Sequence, residues 1–95
     1  MIYEIAEFEL NNGVSVEEFL EIDARFQEEF AYQIPGLLRR TTARGETGTW
    51  IVINLWDNAD SANGARNVTA GRDALEKMHQ VINFDTHKVA RYTML

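Results

Sequence analysis

The stretch Thr49–Trp56, "TWIVINLW", constrains the fold of this chain more than any other. Successive side chains of an extended strand point to opposite sides, so Trp50, Val52, Asn54 and Trp56 project one way and Ile51, Ile53 and Leu55 the other. A strand that is apolar on both sides needs cover on both. A chain of 95 residues forms a single domain, 1–95, that buries a smaller share of its surface than a large one. It has few residues from which to build two covers.

The flanking sequence supplies one cover. Ile2–Leu10 reads as a first strand with Ile2, Ala6, Phe8 and Leu10 on one face and Tyr3 and Ile5 on the other. "NNG" at Asn11–Gly13 ends it. Ser15 with Glu18 three residues on forms a capping box, so a helix is expected from there to about Tyr32. Its apolar stripe is Val16, Phe19, Leu20, Phe26 and Phe30, and Glu21 and Arg25 stand at the supportive i,i+4 spacing. "IPG" at Ile34–Gly36 stops the helix. Leu37–Arg44 is a second strand, joined through "GETG" at Gly45–Gly48 to the third as an antiparallel hairpin. Asp57–Asp60 signals a helix start, but Asn63, Gly64, Asn67 and Gly71 make that helix short or broken. A firmer helix runs over Arg72–Val81, Asn83–His87 reads as a loop, and Lys88–Met94 is a fourth strand. The order β-α-β-β-α-β is that of an α+β ferredoxin-like split βαβ sandwich with an antiparallel sheet. Two helices cover one face of such a sheet, and a second copy of the chain is the simplest cover for the other. Burial of several large side chains per subunit, at roughly 1.5–3 kcal/mol each, would drive a homodimer built sheet against sheet.

Charge and composition exclude several function classes. Net charge is −6 and the basic residues are scattered, which argues against nucleic acid as a partner. Absence of cysteine removes disulfides, thiolate metal sites and thiol nucleophiles. The acidic N-terminus is no signal peptide and no segment spans a bilayer, so a cytoplasmic location is expected, without membrane partners. His79 and His87 with one acidic neighbour, Asp85, make no convincing metal ligand set. No glycine-rich loop leads from a strand into a helix, and no cofactor is expected.

The segment "QIPGLLRRTTARGETGTWIVINLWDNADSANGA", Gln33–Ala65, carries a helix ended by Pro-Gly, a hairpin, and a third strand closing on a tryptophan before an alanine-bearing helix. In this, and in element order over nearly its whole length, the chain resembles the dimeric α+β barrels, and among them the antibiotic-biosynthesis-monooxygenase-like proteins. The resemblance implies two sheets paired into a barrel and, in several members, an aromatic or haem-like ligand held between sheet and helices. Some members oxidise polycyclic aromatic compounds without metal or flavin, some degrade haem, and others have no known activity. The haem-degrading branch uses an asparagine, a tryptophan and a histidine. Here Phe8 stands at the first position and the second falls near Asn63, leaving only His79 as a match, so haem degradation is set aside.

The candidate site residues follow from polarity in apolar surroundings. Asp23 lies within the stripe of the first helix, with Phe19, Leu20 and Phe26 around it and Gln27, itself a candidate substrate contact, one turn on. A carboxylate there is either paired, to Arg39, Arg40 or Gln27, or is a general base and polar anchor in a pocket between helix and sheet. His79, beside Met78, is a second acid–base candidate or a half-exposed helix residue. Asn54, polar among Trp50, Val52 and Trp56, either orients a substrate oxygen or, as the preferred reading, hydrogen-bonds across the dimer seam. Trp56 is core packing or a substrate contact, and Tyr92 either points its hydroxyl into the pocket or holds it at the rim. The expected activity is that of a cofactor-independent monooxygenase-like protein acting on an aromatic or polyketide-type small molecule. The alternative is a non-catalytic barrel that binds a small ligand or serves assembly.

Overall fold

The computed structural model describes all residues, Met1–Leu95. The elements are β1 (Ile2–Leu10), α1 (Val16–Glu29), β2 (Leu37–Arg44), β3 (Trp50–Trp56), α2 (Ala59–Ala62), α3 (Arg72–Val81) and β4 (Ile82–Thr93), with 3-10 turns at Ala31–Gln33 and Asn63–Asn67. The four strands form one antiparallel sheet in the order β2-β3-β1-β4. This is the ferredoxin-like arrangement expected from the element order.

Local chemistry sets the element ends. The Ser15 hydroxyl accepts from the Glu18 amide at 3.0 Å, capping α1, and Asn58 accepts from the Ser61 amide at 2.9 Å, capping α2. Gly71, at φ 69°, starts α3 against the end of α1, where a Cβ would lie 2.1 Å from the Glu29 carbonyl oxygen. Only glycine allows that approach. Four turn-forming positions between Asn63 and Gly71 keep α2 to a single turn, as the sequence predicts.

The helices lie on the sheet face that carries Phe8, Trp50, Val52 and Trp56. Burial there falls into two clusters. Phe8, Phe19, Trp50, Val52, Met78, Val81 and Ile82 fill one end, and Phe30, Ile34, Trp56 and Ala62 fill the other. On the opposite face β1 presents Tyr3 and Ile5 and β3 presents Ile51, Ile53 and Leu55. The register sets Ile5 beside Ile53 and Ala90, and Tyr3 beside Leu55 and Tyr92. No element of the chain covers this second face.

Four expectations are corrected. Helix α1 ends at Glu29 and gives way to a 3-10 turn, rather than running on to Tyr32. Arg25 pairs with Glu29, one turn C-terminal, instead of Glu21. Leu20 is 47% exposed, because it stands about 100° around the helix from Phe19, off the buried stripe whose centre Phe19 and Asp23 hold. Asn83–His87 belongs to β4. Pairing shifts from Glu7–Lys88 to Glu9–Asn83, so β4 bulges outward over this polar stretch. Thr86 holds the bulge, its hydroxyl accepting from the Glu9 amide at 2.9 Å and donating to the Asn83 carbonyl at 2.7 Å. A side-chain oxygen thus takes the place of a ladder carbonyl, which a search for alternating apolar residues does not detect.

Candidate functional site

Between α1, α3 and the sheet lies a cavity of about 200 Å³. Ala6 and Phe8 of β1 with Val52 of β3 form its floor, Phe26 of α1 and Met78 and His79 of α3 its walls, and Ile82, Phe84 and His87 of β4 its outer rim. Arg40 and Asn54 bring polarity into this apolar lining. The β4 bulge shapes the rim. It sets Phe84 with its ring centre 5.5 Å from those of both His79 and His87, edge-on to each.

The polar residues belong to a row that crosses all four strands. Arg40 of β2 pairs with Asn54 of β3, Asn54 with Glu4 of β1, and Glu4 with Arg91 of β4. Directly opposed residues in antiparallel strands share a face, so all four side chains stand on the helix-covered side, between the two apolar clusters. Charges along the row are matched. Arg40 donates through Nη2 to Asp23 at 2.7 Å and through Nη1 to Gln27 and Thr42, and its guanidinium lies 5.0 Å from the Phe26 ring centre. The Thr42 hydroxyl donates to the second Asp23 oxygen at 2.7 Å. At the other end Arg91 donates to Glu4 at 2.9 Å and to Asn63 at 2.8 Å.

Asn54 sits between these ion pairs. Its Nδ2 donates to Glu4 Oε1 at 3.3 Å, and the Trp56 indole N–H points at the same oxygen from 3.4 Å. This fixes the amide, since turning it over would set its carbonyl oxygen against a carboxylate. Asn54 Oδ1 is left buried without a hydrogen-bond partner, the one such side-chain atom in the molecule. An orphaned acceptor of this kind costs about 1–3 kcal/mol.

The residues singled out from the sequence separate accordingly. His79 and Asn54 line the cavity, and Asn54 therefore stands on the helix side of β3 rather than at a seam between copies. Asp23 is buried but lies outside the lining, with both oxygens engaged by Arg40 and Thr42. The side chains of Asp23 and Arg40 are 10% and 3% exposed, so the pair is an internal one and Asp23 holds Arg40 in place. Gln27 likewise serves Arg40 and does not reach the cavity. Trp56, 2% exposed, packs with Phe30, Ile34 and Ala62, away from the cavity. Tyr92 is 56% exposed and opposes Tyr3 on the uncovered face, so its hydroxyl points away from the pocket. Three lining residues escaped the sequence reading: Arg40, Phe84 and His87. The clue to the last two was the length of the polar stretch before the fourth strand, and Arg40 was visible only as a possible partner of Asp23.

No protein family's sequence profile matches the chain, and no curated protein matches it in sequence. Solved structures do. SnoaB, a cofactor-independent oxygenase from Streptomyces nogalater, superposes with a TM-score of 0.79 at 18% identity, over 99% of this chain and 92% of that one. A Nitrosomonas europaea protein provisionally described as an antibiotic biosynthesis monooxygenase gives 0.76 at 12% identity, over 100% and 99% of the two chains. A dimeric ferredoxin-like protein of unknown function from Thermobifida fusca gives 0.75 at 15% identity, over 98% and 90%. The resemblance read from Gln33–Ala65 is thus matched by fold along the whole chain.

Proposed function

We propose that the chain is a cofactor-independent monooxygenase-like protein that takes a small aromatic molecule into the cavity between α1, α3 and the sheet. The observation that carries this reading is the lining itself: phenylalanine rings and aliphatic side chains around a few polar groups, with two histidines at the rim. SnoaB, which shares the fold, is a cofactor-independent oxygenase. An apolar cavity of about 150 Å³ holds a benzene ring, so about 200 Å³ suits one ring or two fused rings. In such a reaction a hydroxyarene and dioxygen give a quinone and water, with the arene supplying every electron that dioxygen accepts. The protein's task is to take the hydroxyl proton and hold the ring. His79 is the candidate base, with His87 across Phe84 as the alternative. Asp23 acts at one remove, by holding Arg40.

The second copy belongs to this reading. Ile5, Ile51, Ile53 and Leu55 form an apolar surface that a twin chain would cover, closing two sheets into a barrel. The Thermobifida fusca protein of the same fold is described as dimeric. A non-catalytic ligand-binding barrel remains the second reading, favoured by the engagement of both Asp23 oxygens inside the protein.

The test is oxygen uptake in the presence of one- and two-ring hydroxyarenes, followed with an oxygen electrode. Consumption that depends on protein and falls at least tenfold in His79→Ala or His87→Ala supports catalysis. Binding of the same compounds without any oxygen uptake would leave the non-catalytic barrel.

A further inference from the structure

We infer that the cavity opens to solvent between α3 and the β4 bulge, and that Phe84, which stands in this mouth, sets the size of the ligand: one ring or two fused rings enter and three do not. The inference rests on the reading of the cavity as an aromatic-ligand site and adds where the ligand enters and what limits its size.

Three observations carry it. Of the residues that line the cavity, only His79, Phe84 and His87 are exposed. These are also the three whose rings meet edge-on with Phe84 in the middle, so the lining reaches water at one place and that place is an aromatic cluster. Second, the bulge puts Phe84 there. In an unbroken strand residues three apart point to opposite sides, yet Phe84 and His87 both line the cavity. Between the Glu9–Asn83 and Glu7–Lys88 pairs β4 holds an odd number of extra residues, which turns His87 to the same side as Phe84. The Thr86 hydroxyl fixes this detour by accepting from the Glu9 amide and donating to the Asn83 carbonyl, so Thr86 is a positioning residue. Third, Phe84 is the one apolar residue of the polar stretch Asn83–His87, is 50% exposed, and belongs to neither hydrophobic cluster. Its ring stands in the opening without supporting the core. A cavity of about 200 Å³ has no room for a third fused ring, which must project through the mouth and meet Phe84.

The test measures the affinity of the intact protein for 2-naphthol and 9-phenanthrol, which carry the same hydroxyl on two and three fused rings. Wild-type protein should bind naphthol about tenfold or more tighter than phenanthrol. Phe84→Ala should bring the two to within about threefold by a gain in phenanthrol affinity, and Phe84→Leu should fall between. Thr86→Val keeps every lining side chain and removes the hydroxyl that holds the bulge, so it should narrow the ratio by a smaller factor. Equal affinities of wild-type protein for the two compounds, or a wild-type ratio retained in Phe84→Ala, would overturn the inference while leaving the aromatic cavity intact. An unchanged ratio in Thr86→Val would overturn the part given to the bulge. The wild-type ratio and Phe84→Leu decide the matter even if Phe84→Ala fails to fold. Binding of neither compound would remove the aromatic reading and the inference together.

Discussion

The two faces of the sheet use the same strands for opposite purposes. Along β3 the helix-covered face carries Trp50, Val52, Asn54 and Trp56, and the uncovered face carries Ile51, Ile53 and Leu55. The covered face could have been wholly apolar, and its two hydrophobic clusters come close to making it so. A polar row of Arg40, Asn54, Glu4 and Arg91 interrupts it, at the desolvation cost of the Arg40–Asp23 pair, the partial desolvation of Glu4 beside the 40%-exposed Arg91, and one unsatisfied oxygen. On the uncovered face, which water could solvate, the centre of the sheet is aliphatic. Polar groups stand where burial makes them costly and apolar groups where exposure does, a pattern explained by a ligand on one side and a second chain on the other.

The comparison is broken most severely from the uncovered side. Ile53→Lys would bury an unpaired ammonium in the proposed interface once per copy, at several kcal/mol each. Sedimentation equilibrium should then give a monomer in place of a dimer, and an unchanged mass would place the twin elsewhere. From the covered side, Asp23→Ala leaves the Arg40 guanidinium buried without its carboxylate and should cost about 3–5 kcal/mol in urea unfolding, with the oligomer retained at concentrations where the chain stays folded. A loss below about 1 kcal/mol would mean that Arg40 finds water and that the row is looser than its geometry.

Smaller changes calibrate the comparison, because they lie on neither face. Ser15→Ala removes only the α1 cap and should cost about 1 kcal/mol, read as a drop of about 4–8 °C in Tm. Glu29→Gln removes an ion pair whose two side chains are each 44% exposed, and it should cost no more than about 0.5 kcal/mol. An effect as large as that of Asp23→Ala at either position would undo the ranking.

The strand boundaries Ile2–Leu10 and Leu37–Arg44 and the helix Arg72–Val81 were legible because apolar spacing and end signals agree there. The start of β4 was not, since Thr86 supports that stretch through its hydroxyl and the pattern of apolar residues carries no trace of it. Within the site, Asp23 drew notice for being charged among phenylalanines, and the sequence offered arginine as one of its two possible destinations. The polar row was hidden for a different reason. Its members lie on four strands, and only the register, which depends on the bulges between Glu7 and Glu9 and between Leu37 and Arg39, brings them into line. Tyr92 shows the same limit, for its neighbours Ala90 and Met94 do not reveal which face the strand presents.

The division of labour between the faces is tested most directly by mapping amide NMR shifts as 2-naphthol is added to the protein. The account predicts changes confined to the cavity, at Ala6, Phe8, Val52, Asn54 and Met78, with Ile5, Ile51, Ile53 and Leu55 unmoved. Shifts centred on the latter group instead would show that the aliphatic face is the ligand site and would contradict the assignment of that face to a second copy of the chain.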